Sequence, residues 1–201
     1  MTDPELSLSP SARTDGHGSN QAVHDDPVSS LPGVPSYRGT ATKTPSERVE
    51  DAFTAMLDTN GMCGALGLLN ARTRYRFTGL YRADPPMLRN EYLFDRENPS
   101  ISLGGDVNPL DHTYCGIVAA THAPFISIDA RTDARLTNHP ARDSVVSYVG
   151  VPVRNANGRI FGSLCHFDLR PRILPLDELA VLESISRCVS DWLAKTVRIA
   201  T

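Results

Sequence analysis

The chain has 201 residues, enough for one ordinary domain plus a tail. Hydrophobic residues make up 40% and charged residues 21%, with a formal net charge of -3, so no basic field is present to hold nucleic acid. No apolar run approaches the roughly 20 residues of a membrane span, and the acidic start Met1-Thr2-Asp3-Pro4-Glu5 does not read as a signal peptide.

Residues 1 to about 43 mix Ser, Pro, Gly, Asp and His without apolar periodicity, which predicts a disordered arm. A folded domain is expected over 44–201. Thr44-Pro45-Ser46-Glu47 reads as a capping box with Pro at the first helical position. Val49, Phe53 and Met56 or Leu57 follow at helical spacing, and Asn60-Gly61 is expected to end that helix. The run Ala65, Leu66, Leu68, Leu69 and the alternation of Tyr75, Phe77 and Gly79 predict two antiparallel strands, turning near 71–73. Residues 84–109, rich in Pro and charge, give no clear pattern.

His112 to Thr121 predicts a short helix that Asp111 or Thr113 could cap, followed by a strand over 125–128. Residues 129–144 read as a loop with about one helical turn. Residues 149–153 and 160–167 read as a hairpin about Asn155-Ala156-Asn157-Gly158, since Asn-Gly supplies positive φ. A long helix then opens at Pro175, with Asp177 and Glu178 in its first turn. Leu179, Leu182, Ile185, Val189, Trp192 and Leu193 line its inner face. The order of elements predicts an α+β fold with an antiparallel sheet.

Several pieces, in order, resemble the GAF family. Thr113-Tyr114-Cys115 is similar to the family's aromatic-Cys helix opening, and 124–129 to its strand ending in Asp. Residues 146–153 resemble its aromatic-x-Gly-x-Pro strand, and 158–168 its Gly-x-x-x-Gly-Thr-Leu-Cys-x-x-Asp strand. The likeness covers about 46–196. It implies a central antiparallel sheet with terminal helices on one face and a ligand pocket under a helix and loop segment on the other.

On that resemblance Tyr114, Cys115, Tyr148 and Cys165 are expected to border one cavity, with Arg142 and Asp129 at its polar rim. Each cysteine also reads as a small buried hydrophobe, and the arginines as surface ion-pair partners. His112, His122 and His139 fall in the same middle segment, where a histidine could ligate haem iron or bond an anionic ligand, although a solvated loop residue is the commoner case. Cys165 and His166 lie side by side on a strand, so they face opposite ways and cannot share a bilin site. No Cys-x-x-Cys pair exists among the four cysteines, which argues against a zinc knuckle. The cyclic-nucleotide signature of some GAF domains is absent.

The function implied is a cytoplasmic, non-catalytic sensory module in signal transduction. Its expected partners are a small molecule, a signalling protein and a second copy of the chain, not nucleic acid or membrane. No cofactor can be named. With no output domain before Thr201, the signal is expected to pass to that partner or second copy. The alternatives are a free methionine-sulfoxide reductase, to which 113–118 is similar, and an interaction module with a filled pocket. The reductase reading lacks its loop cysteine, since 139–144 carries Arg142 instead.

Overall fold

The computed structural model describes residues 43–100 and 104–199. The expected N-terminal arm lies outside them except for Lys43. α1 spans Pro45–Ala71 and opens on the expected capping box, with the Glu47 N–H donating to Thr44 Oγ1 and the Thr44 N–H to Glu47 Oε2. Gly61, at φ 70°, breaks this helix without ending it. Only a residue lacking Cβ takes that conformation cheaply. The helix resumes at Met62.

The first of the two expected strands is therefore helical. Met62, Ala65, Leu66 and Leu69 are buried along one face of α1. Their spacing of three, four and seven suits a helix as well as a short apolar run suits a strand, and packing against the sheet decides it. Asn70 turns the chain into the sheet. Its Nδ2 donates to the Tyr75 carbonyl (3.0 Å) and to Thr78 Oγ1 (2.9 Å).

The sheet has six antiparallel strands, β1 (Phe77–Asp84), β2 (Met87–Asp95), β3 (Val107–Pro109), β4 (Phe125–Ser127), β5 (Ser147–Arg154) and β6 (Ile160–Asp168). They run in the order β3-β2-β1-β6-β5-β4. β2 and β3 occupy the stretch that showed no pattern in sequence. α2 spans Tyr114–Thr121, and Thr113 rather than Asp111 caps it, its hydroxyl accepting from the Gly116 N–H at 3.1 Å. A 3-10 turn at Ala134–Leu136 interrupts the 129–144 loop. α3 spans Glu178–Ile199.

Strand alternation sends side chains to two separate cores. Leu80, Val149, Val151, Val153 and Leu164 meet α1 and the Leu182, Ile185, Val189 face of α3. Tyr148 and Cys165 project to the other face, where α2 and the 130–145 segment cover them. Pro152 falls beyond the end of β4, whose pairing with β5 stops at Gly150, so its missing N–H breaks no ladder bond there.

Candidate functional site

A cavity of about 350 Å³ lies between α2 and the second face of the sheet. Its floor comes from neighbouring strands, with Tyr81 on β1, Cys165 and Phe167 on β6, and Tyr148 on β5. α2 supplies Tyr114 and Cys115 overhead, and Ala141 and Val145 form a side wall. Exposed Asn108, His112, Pro140 and Ser144 frame the mouth.

The space above the floor is set by small residues paired in register. Cys165 on β6 is flanked by Gly79 on β1 and by Gly150 on β5. Tyrosine rings lie over both glycines. A Cβ on Gly150 would stand 2.1 Å from Tyr148 Oη, and one on Gly79 would stand 2.6 Å from Tyr81 Cε2. Residues two apart on a strand share a face. Tyr148-x-Gly150 and Gly79-x-Tyr81 are thus the same device run in opposite chain directions. Gly162 serves differently. A Cβ there would meet the Tyr81 carbonyl oxygen at 1.8 Å, so it lets two backbones approach.

Four of the six expected residues, Tyr114, Cys115, Tyr148 and Cys165, come together here. The Tyr148 hydroxyl donates to Cys115 Sγ at 3.4 Å, and Tyr114 packs edge-on against Tyr148 with centroids 5.5 Å apart. The Tyr114 hydroxyl is buried with no hydrogen-bond partner among the described residues, and desolvation raises its pKa to about 12.

Asp129 and Arg142 do not line the cavity, a correction to the expected polar rim. The Asp129 carboxylate accepts from Arg131 Nε at 3.0 Å and Nη2 at 3.2 Å, which holds it below the usual carboxylate range. Arg142 donates to the Arg131 carbonyl and pairs with Asp143. Both make their contacts within the 129–144 loop. Spacing alone could not separate loop-internal pairing from pocket contact.

His112 stands at the mouth and His139 behind the wall, its ring 4.6 Å from that of Tyr114. His122 is elsewhere, capping the C-terminus of α2 in the left-handed conformation. Sequence reasoning missed Tyr81 and Phe167 as floor residues. Alternation from Cys165 would have found Phe167, and the Gly-x-Tyr pattern would have found Tyr81.

No Asp, Glu, Lys or Arg side chain lines the cavity among the described residues. No cluster of three or more His, Cys, Asp or Glu there could hold a metal ion, and no helix there is long and apolar enough to cross a membrane. The site is an aromatic-walled space with two thiols in it.

The GAF domain model matches residues 56–190, well over half of the sequence. The chain belongs to the GAF domain family. No curated protein matches it. Among solved structures it is similar to the GAF domain of an Acinetobacter phosphoenolpyruvate-protein phosphotransferase, at TM-score 0.62 and 12% identity, covering 79% of this chain and 99% of that one. It is also similar to free methionine-R-sulfoxide reductase from Neisseria meningitidis, in complex with its substrate, at TM-score 0.59 and 16% identity, covering 78% and 89%. A third is the phycoerythrobilin-bound GAF domain of a cyanobacterial phytochrome, at TM-score 0.61 and 16% identity, covering 80% and 100%. These likenesses describe a fold shared by sensors and by reductases. The expected fold holds, with both terminal helices on one face of an antiparallel sheet.

Proposed function

We propose that this GAF domain is a non-catalytic sensor that binds one small, uncharged, largely planar molecule between α2 and the sheet. The observation that carries the reading is the lining. Tyr81, Tyr114, Tyr148 and Phe167 present ring faces and edges, and no charged carboxylate, ammonium or guanidinium group stands among them. An anionic ligand would have to shed its water with no cation to replace it. A flat apolar molecule gains from ring contact, and the unpartnered Tyr114 hydroxyl offers it one donor. The volume falls at the lower end of ordinary ligand pockets, roughly 300 to 1,000 Å³. Residues 140–145 form the wall nearest solvent. A ligand that holds them in place would bias the domain between two populations. The change would pass to a signalling partner or to a second copy.

Native mass spectrometry with an absorption spectrum of the protein as purified tests the first half directly. A retained neutral aromatic compound, released on denaturation, is the expected result. Failing retention, titration with a panel of neutral aromatic and anionic compounds of matched size should favour the neutral ones. Tight binding of anions alone would overturn the reading.

A further inference from the structure

The two thiols in the cavity have a chemistry that ligand binding does not use. Cys115 and Cys165 are both buried and both free, one on α2 and one on β6, and both line the same space. They belong to one buried cluster beneath α2, although 50 residues of chain separate them.

Their surroundings differ. Cys115 is the second residue of α2, where backbone N–H groups lack helical partners and favour negative charge. The Tyr148 hydroxyl also donates to its sulfur. The neighbouring Cys165 thiol, with these donors, lowers the Cys115 pKa in spite of its burial. Cys165 lies mid-strand with no such N-terminus, and burial raises its thiol well above the ordinary value. Cys115 is the more readily deprotonated of the two sulfurs, and Cys165 stays a thiol.

We propose that Cys115 and Cys165 form a peroxide-sensing dithiol, in which a small uncharged hydroperoxide oxidises Cys115 and Cys165 then closes a disulfide between α2 and β6. In the first step the Cys115 thiolate attacks the distal oxygen of the hydroperoxide. The O–O bond breaks, the leaving alkoxide or hydroxide takes a proton and departs as alcohol or water, and Cys115 becomes a sulfenic acid. In the second step the Cys165 sulfur attacks the Cys115 sulfur. The S–S bond forms, the S–O bond breaks, and hydroxide leaves with the Cys165 proton as water. The peroxide gains two electrons and the dithiol loses two.

The uncharged lining admits such an oxidant as readily as it admits a neutral ligand. Asn108, His112, Pro140 and Ser144 at the mouth are exposed, so entry requires no opening of the sheet. The product ties α2 to the strand that also touches α3 on its other face. It does so stoichiometrically, as a switch reset by an external thiol. The inference does not depend on a planar ligand, and occupancy by one would shield the pair.

Hydrogen peroxide added to the full native chain tests it, read by peptide mapping under non-reducing conditions. Trypsin places Cys115 in residues 97–131 and Cys165 in residues 160–172, with Cys63 and Cys188 in other peptides. The expected result is a covalent link between those two peptides that a reducing agent removes. Cys165→Ser should leave Cys115 as a sulfenic acid that a cyclic 1,3-dione traps, and Cys115→Ser should lose both products. The Cys63→Ser/Cys188→Ser variant should form the link at the native rate. Oxidation of Cys63 or Cys188 while 115 and 165 stay reduced would overturn the proposal. So would a link that persists in Cys115→Ser by another partner of Cys165. The native mapping alone decides the matter if a variant fails to fold.

Discussion

Cys165 and His166 are chain neighbours on β6 whose side chains stand on opposite faces of the sheet. Cys165 forms part of the cavity floor. The His166 ring is buried on the helix side, with Nδ1 2.6 Å from Thr78 Oγ1 and Nε2 3.3 Å from Glu178 Oε1. Glu178 is buried at the start of α3, and its other oxygen accepts from Arg72 Nε at 2.9 Å, just past the end of α1. A single peptide unit therefore separates the cavity from the polar network that joins both terminal helices. Any movement of β6 under a ligand or a new covalent bond acts on that network directly.

His166→Ala should lower stability by about 2–4 kcal/mol, because it opens a hole in a packed core and leaves the Glu178 carboxylate short of a partner. Urea unfolding, with the slope held constant, measures it. A loss under about 1 kcal/mol would mean that the network is not holding the helix ends together.

Gly150→Ala and Gly162→Ala should differ in severity. At Gly150 the new methyl meets the Tyr148 hydroxyl, which can move if the ring tilts away from Tyr114. We expect a loss of about 1–3 kcal/mol and a changed cavity. At Gly162 the methyl meets a backbone carbonyl of β1, which cannot move without breaking strand pairing. That change should cost more, about 3 kcal/mol or above. Thermal unfolding of the two variants side by side gives the order. Equal losses would show that Tyr148 is as fixed as backbone.

The parts of this fold legible in sequence were those with local punctuation. The Thr44 capping box, the Asn155 to Gly158 turn and the apolar face of α3 each carry their own signal and stand where expected. Residues 62–71 failed for the opposite reason. Ala65, Leu66, Leu68 and Leu69 suit either period, and only burial against the sheet settles it. The site divides in the same way. Strand alternation puts Tyr148 and Cys165 beneath α2, but the partners of Asp129 and Arg142 depend on how an irregular loop folds back on itself. Arg131 lies two residues from Asp129 and draws it away from the cavity.

The cavity wall should loosen on acidification through His139. Its Nδ1 accepts the Ala141 N–H at 3.2 Å, so the bonded form is the neutral ring. Burial lowers its pKa below 6.5, with the Thr113 carbonyl opposing and the charge of His112 adding to the fall. Above the unfolded value neither state binds a proton, and the contribution to stability is whole. As pH falls through that value and on through the lower folded one, the unfolded chain gains a proton that the folded chain resists, and stability is lost. Between about pH 7 and pH 5, the protection factors of amides 139–146, taken against the intrinsic exchange rate at each pH, should fall before those of the rest of the domain. His139→Asn should remove most of that local pH dependence. Uniform loss across the domain would assign the effect to another group.

Filling the cavity should separate the residues that line it from those that do not. Ala141 stands in the side wall, is 8% exposed and has a single methyl to lose or extend. Ala141→Phe should project a ring into the space that a planar ligand would take. We expect affinity for any neutral aromatic ligand found by titration to fall at least tenfold, about 1.4 kcal/mol. Arg142→Ala and Asp129→Asn should change it by no more than about twofold, although each removes a hydrogen bond inside the loop. Calorimetric titration of the three variants, each first shown to unfold cooperatively, gives the comparison. A large loss in Arg142→Ala with little in Ala141→Phe would mean that the ligand sits on the loop outside the cavity. The charged rim would then matter more than the aromatic floor. Loss confined to Ala141→Phe would show that ring contact beneath α2, and not the loop ion pairs, selects what this domain binds.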